Sequence, residues 1–228
     1  MNDFAEKARA AEAALRDVFP PTPLQRNAYL SEKTGADVWL KREDLTPVRS
    51  YKLRGAFNAM RKRPEAGLIV AASAGNHAQG VAYMCAQFGK TGVIFMPVTT
   101  PQQKIQKTRA FGGDAIEIRL IGDYFDDCLK AAQDFCAENG GHFLSPFDNP
   151  DVIEGQASVA VEIEEQLGGA PDLMVIPVGG GGLSAGCLGY FETACQYSLV
   201  EPAGGASLRA ALAAGHPVTL PKVNTFAD

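Results

Sequence analysis

The chain contains the stretch Leu173-Met174-Val175-Ile176-Pro177-Val178-Gly179-Gly180-Gly181-Gly182-Leu183. Leu173–Val178 is an apolar run of strand length, and a longer apolar run of helical length begins at Leu183. Four consecutive glycines therefore join a predicted strand to a predicted helix. Because each glycine costs backbone entropy, this run predicts that a ligand needs close access to backbone N–H groups at the helix N-terminus. Phosphate is the natural ligand of such a site, and a flexible connector is the less favoured interpretation.

Outward from this stretch, strand-like runs alternate with longer helical runs. After a first helix at Phe4–Val18, strands are predicted at Asp37–Lys41, Leu68–Ala72, Gly92–Pro97, Asp114–Arg119, His142–Leu144 and Leu173–Val178. Helices are predicted at Tyr51–Arg63, Ala78–Phe88, Gln102–Phe111, Tyr124–Glu138, Ile153–Leu167 and Leu183–Gln196, and Ala203–Thr219 is predicted as loop and helix. The alternation predicts an α/β protein with mainly parallel sheets flanked by helices. A doubly wound topology is favoured, because 228 residues are few for a closed eight-stranded barrel.

Composition and charge narrow the classes of function. The chain is 46% hydrophobic and 21% charged, as globular proteins are, and its net charge of −5 disfavours nucleic acid or an anionic membrane as the main partner. No apolar run approaches the roughly 20 residues of a membrane span, and the charged N-terminus does not resemble a secretory signal. The five cysteines form no C-x-x-C pair, which predicts buried thiols and no metal site. We therefore expect a cytoplasmic protein that binds a small molecule.

A second strand–loop–helix junction is Ser73-Ala74-Gly75-Asn76-His77, which follows the predicted strand Leu68–Ala72. Small residues with a hydroxyl and an amide at a helix N-terminus can receive a carboxylate or orient a ring. Ser73 or Asn76 could instead be a simple N-cap, and His77 alone would more often be structural than catalytic. Both interpretations remain open at this point.

The third element is Lys52, within Ser50-Tyr51-Lys52-Leu53-Arg54-Gly55 at the start of a predicted helix. A lysine at this end opposes the helix dipole, which lowers its proton affinity and favours the neutral amine that Schiff-base chemistry requires. A solvated surface lysine is the alternative. Together, the three elements describe a ligand set with a phosphate, a carboxylate and an amine or carbonyl. Pyridoxal phosphate acting on an amino acid fits that set.

Dinucleotide binding is a rival interpretation of the glycine run. Gly180–Ala185 satisfies the pattern G-x-G-x-x-A, and Glu201 follows about 20 residues later, after the apolar run Tyr197–Val200. A run of four glycines satisfies many glycine patterns by chance. An NAD-binding Rossmann domain therefore stays as an alternative.

Three segments resemble the signatures of the serine/threonine dehydratase family, which are fold type II pyridoxal-phosphate enzymes related to serine racemase and the tryptophan synthase β subunit. These segments are Ser50–Ala56, Ser73–Gly80 and Pro177–Leu183. Further similar segments are Thr22–Leu24, Leu40–Asp44 and Val200–Gly204. The resemblance runs from about residue 20 to the end of the chain and implies pyridoxal 5'-phosphate as cofactor.

The resemblance implies a tryptophan synthase β-like two-domain fold, with residues 1–52 and 151–228 in a large cofactor-binding domain and residues 53–150 in a small mobile domain. It implies that Lys52 is the catalytic residue and holds the cofactor as a Schiff base, with Tyr51 beside the ring and Asn76 on the ring hydroxyl. The cofactor phosphate would be wrapped by Gly179, Gly180, Gly181, Gly182 and Leu183. The substrate carboxylate would be held by Ser73, Ala74, Gly75, Asn76 and His77.

The implied reaction is α,β-elimination of L-threonine, and of L-serine as a second substrate, to 2-oxobutanoate or pyruvate and ammonia. An enzyme of this kind would serve isoleucine biosynthesis as a homo-oligomer. An amino-acid racemase of the serine racemase type is the alternative on the same scaffold. Family members continue beyond the segment that resembles Val223–Asp228 and carry there a serine or cysteine on the pyridine nitrogen, so the fold is expected to be incomplete at its C-terminus. The stretch Gly189–Val200 also looks shorter than the family pattern.

Overall fold

The computed structural model describes residues 3–220 and residue 223. Most of the segment Val223–Asp228 named above therefore lies outside the described residues. The helices are α1 (Asp3–Leu15), α2 (Ala28–Thr34), α3 (Lys52–Arg61), α4 (Asn76–Phe88), α5 (Gln102–Gly112), α6 (Phe125–Asn139), α7 (Pro150–Leu167), α8 (Gly182–Phe191) and α9 (Ser207–Ala214). The strands are β1 (Leu24–Arg26), β2 (Trp39–Lys41), β3 (Leu68–Ala72), β4 (Thr91–Met96), β5 (Ile116–Leu120), β6 (His142–Phe143), β7 (Leu173–Pro177) and β8 (Gln196–Val200).

The largest sheet has four parallel strands in the order β5-β4-β3-β6. Side chains of β3 alternate between its two faces, with Ile69 and Ala71 on one side and Val70 and Ala72 on the other. The first face packs on α3, α4 and α5, and the second packs on α6. The predicted parallel sheet flanked by helices is confirmed.

A second core lies around α1, α7, α8 and the parallel pair β7–β8. Helix α7 joins the two cores because it packs on α1, α3 and α8. A Cβ atom added at Gly155 of α7 would lie 2.5 Å from the carbonyl oxygen of Arg54 in α3, so the two backbones are in contact. This crossing fixes the first turn of α3, where Lys52 lies.

Two regions differ from the prediction. Strand β1 and helix α2 were not predicted, because three and seven residues are too short to show a clear hydrophobic period. Strand β2 pairs with β1 in an antiparallel arrangement. The predicted helix Leu183–Gln196 is wrong at its C-terminal end: α8 stops at Phe191, and β8 begins at Gln196 after one 3₁₀ turn.

The short connection after α8 is strained. Glu192 has φ = 50°, a left-handed conformation that a non-glycine residue rarely adopts. This residue lies in the stretch Gly189–Val200, where the sequence looks shorter than the family pattern.

All five cysteines are buried, as predicted. Within the described part of the chain, no helix has the length and apolar character needed to cross a membrane.

Candidate active site

A segment between β6 and α7, Leu144–Phe147, contacts all three elements predicted from the sequence. The Leu144 carbonyl lies 2.9 Å from Nε2 of His77, and the Pro146 carbonyl accepts a hydrogen bond of 2.8 Å from Nζ of Lys52. Phe147 lies against the glycine run, since a Cβ atom added at Gly180 would be 2.1 Å from its ring. The lysine, the 73–77 loop and the glycine run therefore lie around one site.

Lys52 is the first residue of α3, and its side chain is partly buried. Burial lowers the pKa of Lys52 to about 8. The direction agrees with the prediction, and desolvation of the buried amine is the cause of this shift. At pH 7 roughly one amine in ten is then neutral, against about one in three thousand for an ordinary lysine. The ring centroid of Tyr51 lies 5.5 Å from Nζ, which places this aromatic side chain beside the amine.

The loop 73–77 leads from β3 into α4, and Gly75 is the N-cap residue of that helix. No side chain caps α4, so Ser73 and Asn76 are not simple N-caps. The Ser73 hydroxyl accepts a hydrogen bond of 3.2 Å from the Gly75 N–H, and the Asn76 side chain is exposed. The positive end of α4 therefore faces the site without a side-chain cap, as an anion site requires.

His77 ties the start of α4 to the Leu144–Phe147 segment. The side chain is buried, and burial lowers the pKa of His77 to about 4. The imidazole is therefore neutral at pH 7, and its Nε2–H donates to the Leu144 carbonyl. This geometry gives His77 a structural contact in addition to its place in the loop.

Replacing His77 with glutamine is expected to flatten the pH dependence of stability. The histidine pKa of about 4 in the folded state is below its ordinary value of 6.5, so the unfolded chain binds the proton first as pH falls. Stability should be lost between these two values, by up to about 3 kcal/mol, and His77→Gln should remove this loss. Urea unfolding from pH 7.5 to 4 measures it. The exposed His216, changed in the same way, should leave the profile of the wild type intact; an equal change in both variants would contradict the assignment.

The four glycines of the run have different environments. Nothing lies within 4 Å of a Cβ atom added at Gly179 or Gly181, whereas Gly180 and Gly182 face Phe147. Gly181 has φ = 84° and is the N-cap residue of α8, and no side chain caps this helix either. Leu183, the residue after the glycine run, is partly buried and packs on the core around α8. The N-terminus of α8 therefore presents open backbone, which fits the predicted phosphate site.

The residues present fit pyridoxal phosphate. A partly buried amine with a lowered pKa suits an aldehyde, and open glycine positions at an uncapped helix N-terminus suit a phosphate. Among residues 3–220, no group of three or more His, Cys, Asp or Glu side chains is arranged to hold a metal ion.

The dinucleotide interpretation requires Glu201 to be available to a ribose. Instead, its carboxylate accepts hydrogen bonds from the N–H groups of Leu208 (2.7 Å) and Arg209 (2.9 Å) at the start of α9. Because both oxygens bind this helix, the geometry disfavours an NAD site.

A buried cluster of charged groups, which the sequence does not predict, lies behind Lys52. Arg54 is fully buried and forms ion pairs of 2.7 Å with Glu43 and with Glu162 of α7. Lys41 of β2 forms a third ion pair, of 2.6 Å, with Glu162. Arg54 lies two residues after Lys52, so this cluster fixes the helix that carries the amine.

Several known proteins are similar to the chain. A family model described as "Pyridoxal-phosphate dependent enzyme" matches residues 15–228. The biosynthetic L-threonine dehydratase of Mycobacterium leprae is 48% identical and aligns with 96% of this chain and 52% of its own. The corresponding Bacillus subtilis protein is 46% identical, with coverages of 96% and 53%. The chain thus spans about half the length of the curated relatives it matches.

Solved structures are also similar. The processed form of threonine deaminase isoform 2 from Solanum lycopersicum has a TM-score of 0.89 at 39% identity and covers all of this chain, which spans 64% of that one. Maize serine racemase has a TM-score of 0.88 at 25% identity, with coverages of 96% and 68%. Motifs, fold and family model agree, and the chain belongs to the family of pyridoxal-phosphate dependent enzymes.

Proposed function

We propose that this chain catalyses the α,β-elimination of L-threonine, and of L-serine as a second substrate, to 2-oxobutanoate or pyruvate and ammonia. The observation that carries the proposal is the partly buried Lys52 amine, with a pKa lowered to about 8, beside two helix N-termini that no side chain caps. The names of the relatives, which are threonine dehydratases at 46–48% identity, support threonine as the substrate.

The positions of the residues support the roles proposed for them. Pyridoxal phosphate, when bound, supplies an aldehyde for the amine and a ring that takes up the electrons of the Cα–H bond. Lys52 Nζ would bind this group and then, released by the substrate, remove the Cα proton as general base. The β-hydroxyl would take up a proton and leave as water, and a second water molecule would later replace the nitrogen, so that one threonine would yield one 2-oxobutanoate and one ammonia.

The other candidate residues would bind and orient the cofactor and the substrate. The open backbone of Gly179–Gly182 and Leu183 would hold the phosphate at the N-terminus of α8, and Tyr51 would lie beside the ring. The 73–77 loop, from Ser73 to His77, would bind the substrate carboxylate at the uncapped start of α4, with the exposed Asn76 amide turned to the ring hydroxyl.

The domain division is part of the proposal. Residues 53–150 contain the four-stranded sheet and build most of its cores, to which Leu15, Phe19 and Val152 also contribute, whereas residues 151–220 with α1 build most of the core around α7 and α8. These distinct cores, which α7 joins, support a small domain that moves against a large one. Exposed apolar side chains on β7 and β8, among them Val175 and Val200, support a homo-oligomer. We also propose a cytoplasmic location, which fits the biosynthetic role named for the relatives.

The test is direct. Purified protein with pyridoxal phosphate should show the visible absorption of the bound cofactor, which borohydride abolishes, and should release 2-oxobutanoate from L-threonine faster than pyruvate from L-serine. Cofactor binding without any 2-oxo acid from either substrate would refute the elimination while leaving the family assignment intact.

A racemase is the second candidate, supported by the similarity to maize serine racemase. Racemisation needs an acid on the face of the carbanion opposite Lys52, and related racemases have a serine at the position of Ala74. The methyl group of Ala74 can neither donate nor accept a proton. This residue therefore favours elimination.

Ala74→Ser is expected to add measurable D-amino acid formation without abolishing 2-oxo acid production, because the hydroxyl supplies the missing proton donor. Chiral chromatography of the serine left after partial turnover measures the effect, and Ala74→Gly, which enlarges the space without adding a hydroxyl, is the matched control. Abundant D-serine from the wild type would replace the dehydratase proposal with the racemase.

A further inference from the structure

The segment Leu144–Phe147 contacts every part of the candidate site, yet no proposed role uses it. We propose that Phe147 is a positioning residue of the phosphate site: its ring braces the glycine run so that the backbone N–H groups at the start of α8 stay arranged for an anion. This inference rests on the proposed function of Gly179–Gly182 as the phosphate loop and extends it to a residue outside that loop.

The contacts of the glycines support this role. A Cβ atom added at Gly180 would lie 2.1, 2.3 and 2.6 Å from three ring atoms of Phe147, so the ring lies directly on the Gly180 backbone. A Cβ atom at Gly182 would lie 3.1 Å from Cα of Phe147. Gly179 and Gly181 have nothing within 4 Å on the corresponding side. Gly180 and Gly182 thus face Phe147, whereas Gly179 and Gly181 face open space.

Phe147 can act as a brace because its own segment is fixed. The preceding carbonyls of Leu144 and Pro146 bind His77 and Lys52. The N–H of Asp148 donates to the Ser145 hydroxyl at 3.2 Å, and the Asn149 side chain caps α7. The backbone on both sides of Phe147 is therefore held by hydrogen bonds.

A run of four glycines has no side chains of its own to hold one conformation. Without a neighbour to pack on, the loop would sample many conformations, and an anion would bind only after paying the entropy of ordering them. Because the Phe147 ring already restricts the loop in the free protein, anion binding does not have to order it. Its effect should therefore appear in the binding of the phosphate group and not in the reaction of the aldehyde with Lys52.

The experiment compares two probes that differ only in the phosphate: pyridoxal 5'-phosphate and pyridoxal. Covalent capture of each by the full chain is measured as a function of probe concentration, with borohydride fixation and intact-protein mass as the readout. Phe147→Ala should weaken capture of pyridoxal phosphate by about tenfold or more while changing that of pyridoxal by less than about twofold. Inorganic phosphate should also compete less well with pyridoxal phosphate in the variant.

Two variants make the result specific. Phe147→Leu keeps an apolar side chain on Gly180 and should restore part of the phosphate preference. Phe88, at the end of α4, is 37% exposed against 36% for Phe147, so Phe88→Ala removes a ring of equal exposure away from the glycine run. Phe88→Ala should keep the wild-type ratio between capture of pyridoxal phosphate and capture of pyridoxal.

Equal losses for both probes, or no loss in either Phe147 variant, would overturn the brace. If Phe147→Ala does not fold, Phe147→Leu decides, since an unchanged ratio there would also overturn it. These outcomes are independent of turnover: a protein that prefers the phosphate probe but releases no 2-oxo acid would refute the proposed elimination and leave the brace standing.

Discussion

Lys52→Ala is expected to abolish covalent capture of pyridoxal phosphate. The reaction requires a neutral amine next to the proposed phosphate site, and the Lys52 amine is partly buried with a pKa lowered to about 8. Borohydride reduction followed by peptide mass mapping should place the label of the wild type on Lys52 alone and find none in the variant. The rate of capture by the wild type should rise with pH, with a midpoint near pH 8, because the neutral fraction rises through that range.

The other buried lysines make this test discriminating. Lys41 Nζ donates to Thr22 and Glu162, and Lys90 Nζ donates to three backbone carbonyls in the turn that follows α3, so both amines are engaged. Lys52→Arg keeps the positive charge and most of the volume but cannot form the covalent bond. It should fail like Lys52→Ala. A label on Lys41 or Lys90 in the wild type would contradict the assignment of Lys52.

The sequence predicts those parts of the site that consist of consecutive residues. A glycine run between an apolar strand and an apolar helix marks the junction of these two elements, and β7 and α8 flank it as predicted. Lys52 at the start of α3 and the loop after β3 follow from the same local logic. The alternation of strands and helices also predicts the parallel sheet, because a helical crossover is the usual connection between parallel strands.

The missed parts depend on residues far apart in sequence. Pro146 is 94 residues from Lys52, and Phe147 is 33 residues from Gly180, the glycine on which its ring lies. The turn-rich composition around Pro146 predicts a boundary but does not indicate which groups its carbonyls bind. The ion pair of Arg54 with Glu162 spans 108 residues, and neither residue belongs to a pattern that marks burial. Such contacts become visible only once the elements are packed.

The ion-pair cluster behind Lys52 should dominate stability in this region. Arg54 lies between Glu43 and Glu162, and Glu162 also pairs with Lys41, so two positive and two negative charges balance with little access to water. Burial by itself would raise the pKa of Glu162, but Arg54 and Lys41 lower it below its usual range. The ionised form is thus strongly preferred in the folded protein, and its contribution is present above the usual glutamate value near 4.5 and lost as pH falls through the lower folded value.

Glu162→Gln is therefore expected to cost about 3–5 kcal/mol of unfolding free energy at pH 7, because it leaves an unbalanced positive charge among buried groups. Glu165, on the same helix, has a side chain that is 48% exposed and pairs with the partly exposed Arg16, so Glu165→Gln should cost less than about 1 kcal/mol. Urea unfolding of both variants at pH 7 measures the contrast. Below about pH 4.5 the unfolded chain takes up a proton at Glu162 before the folded protein does, so the gap between wild type and Glu162→Gln should narrow as the pH falls. Equal losses for the two substitutions, or a gap that stays constant with pH, would show that the buried charge of Glu162 does not hold the helix of Lys52 in place.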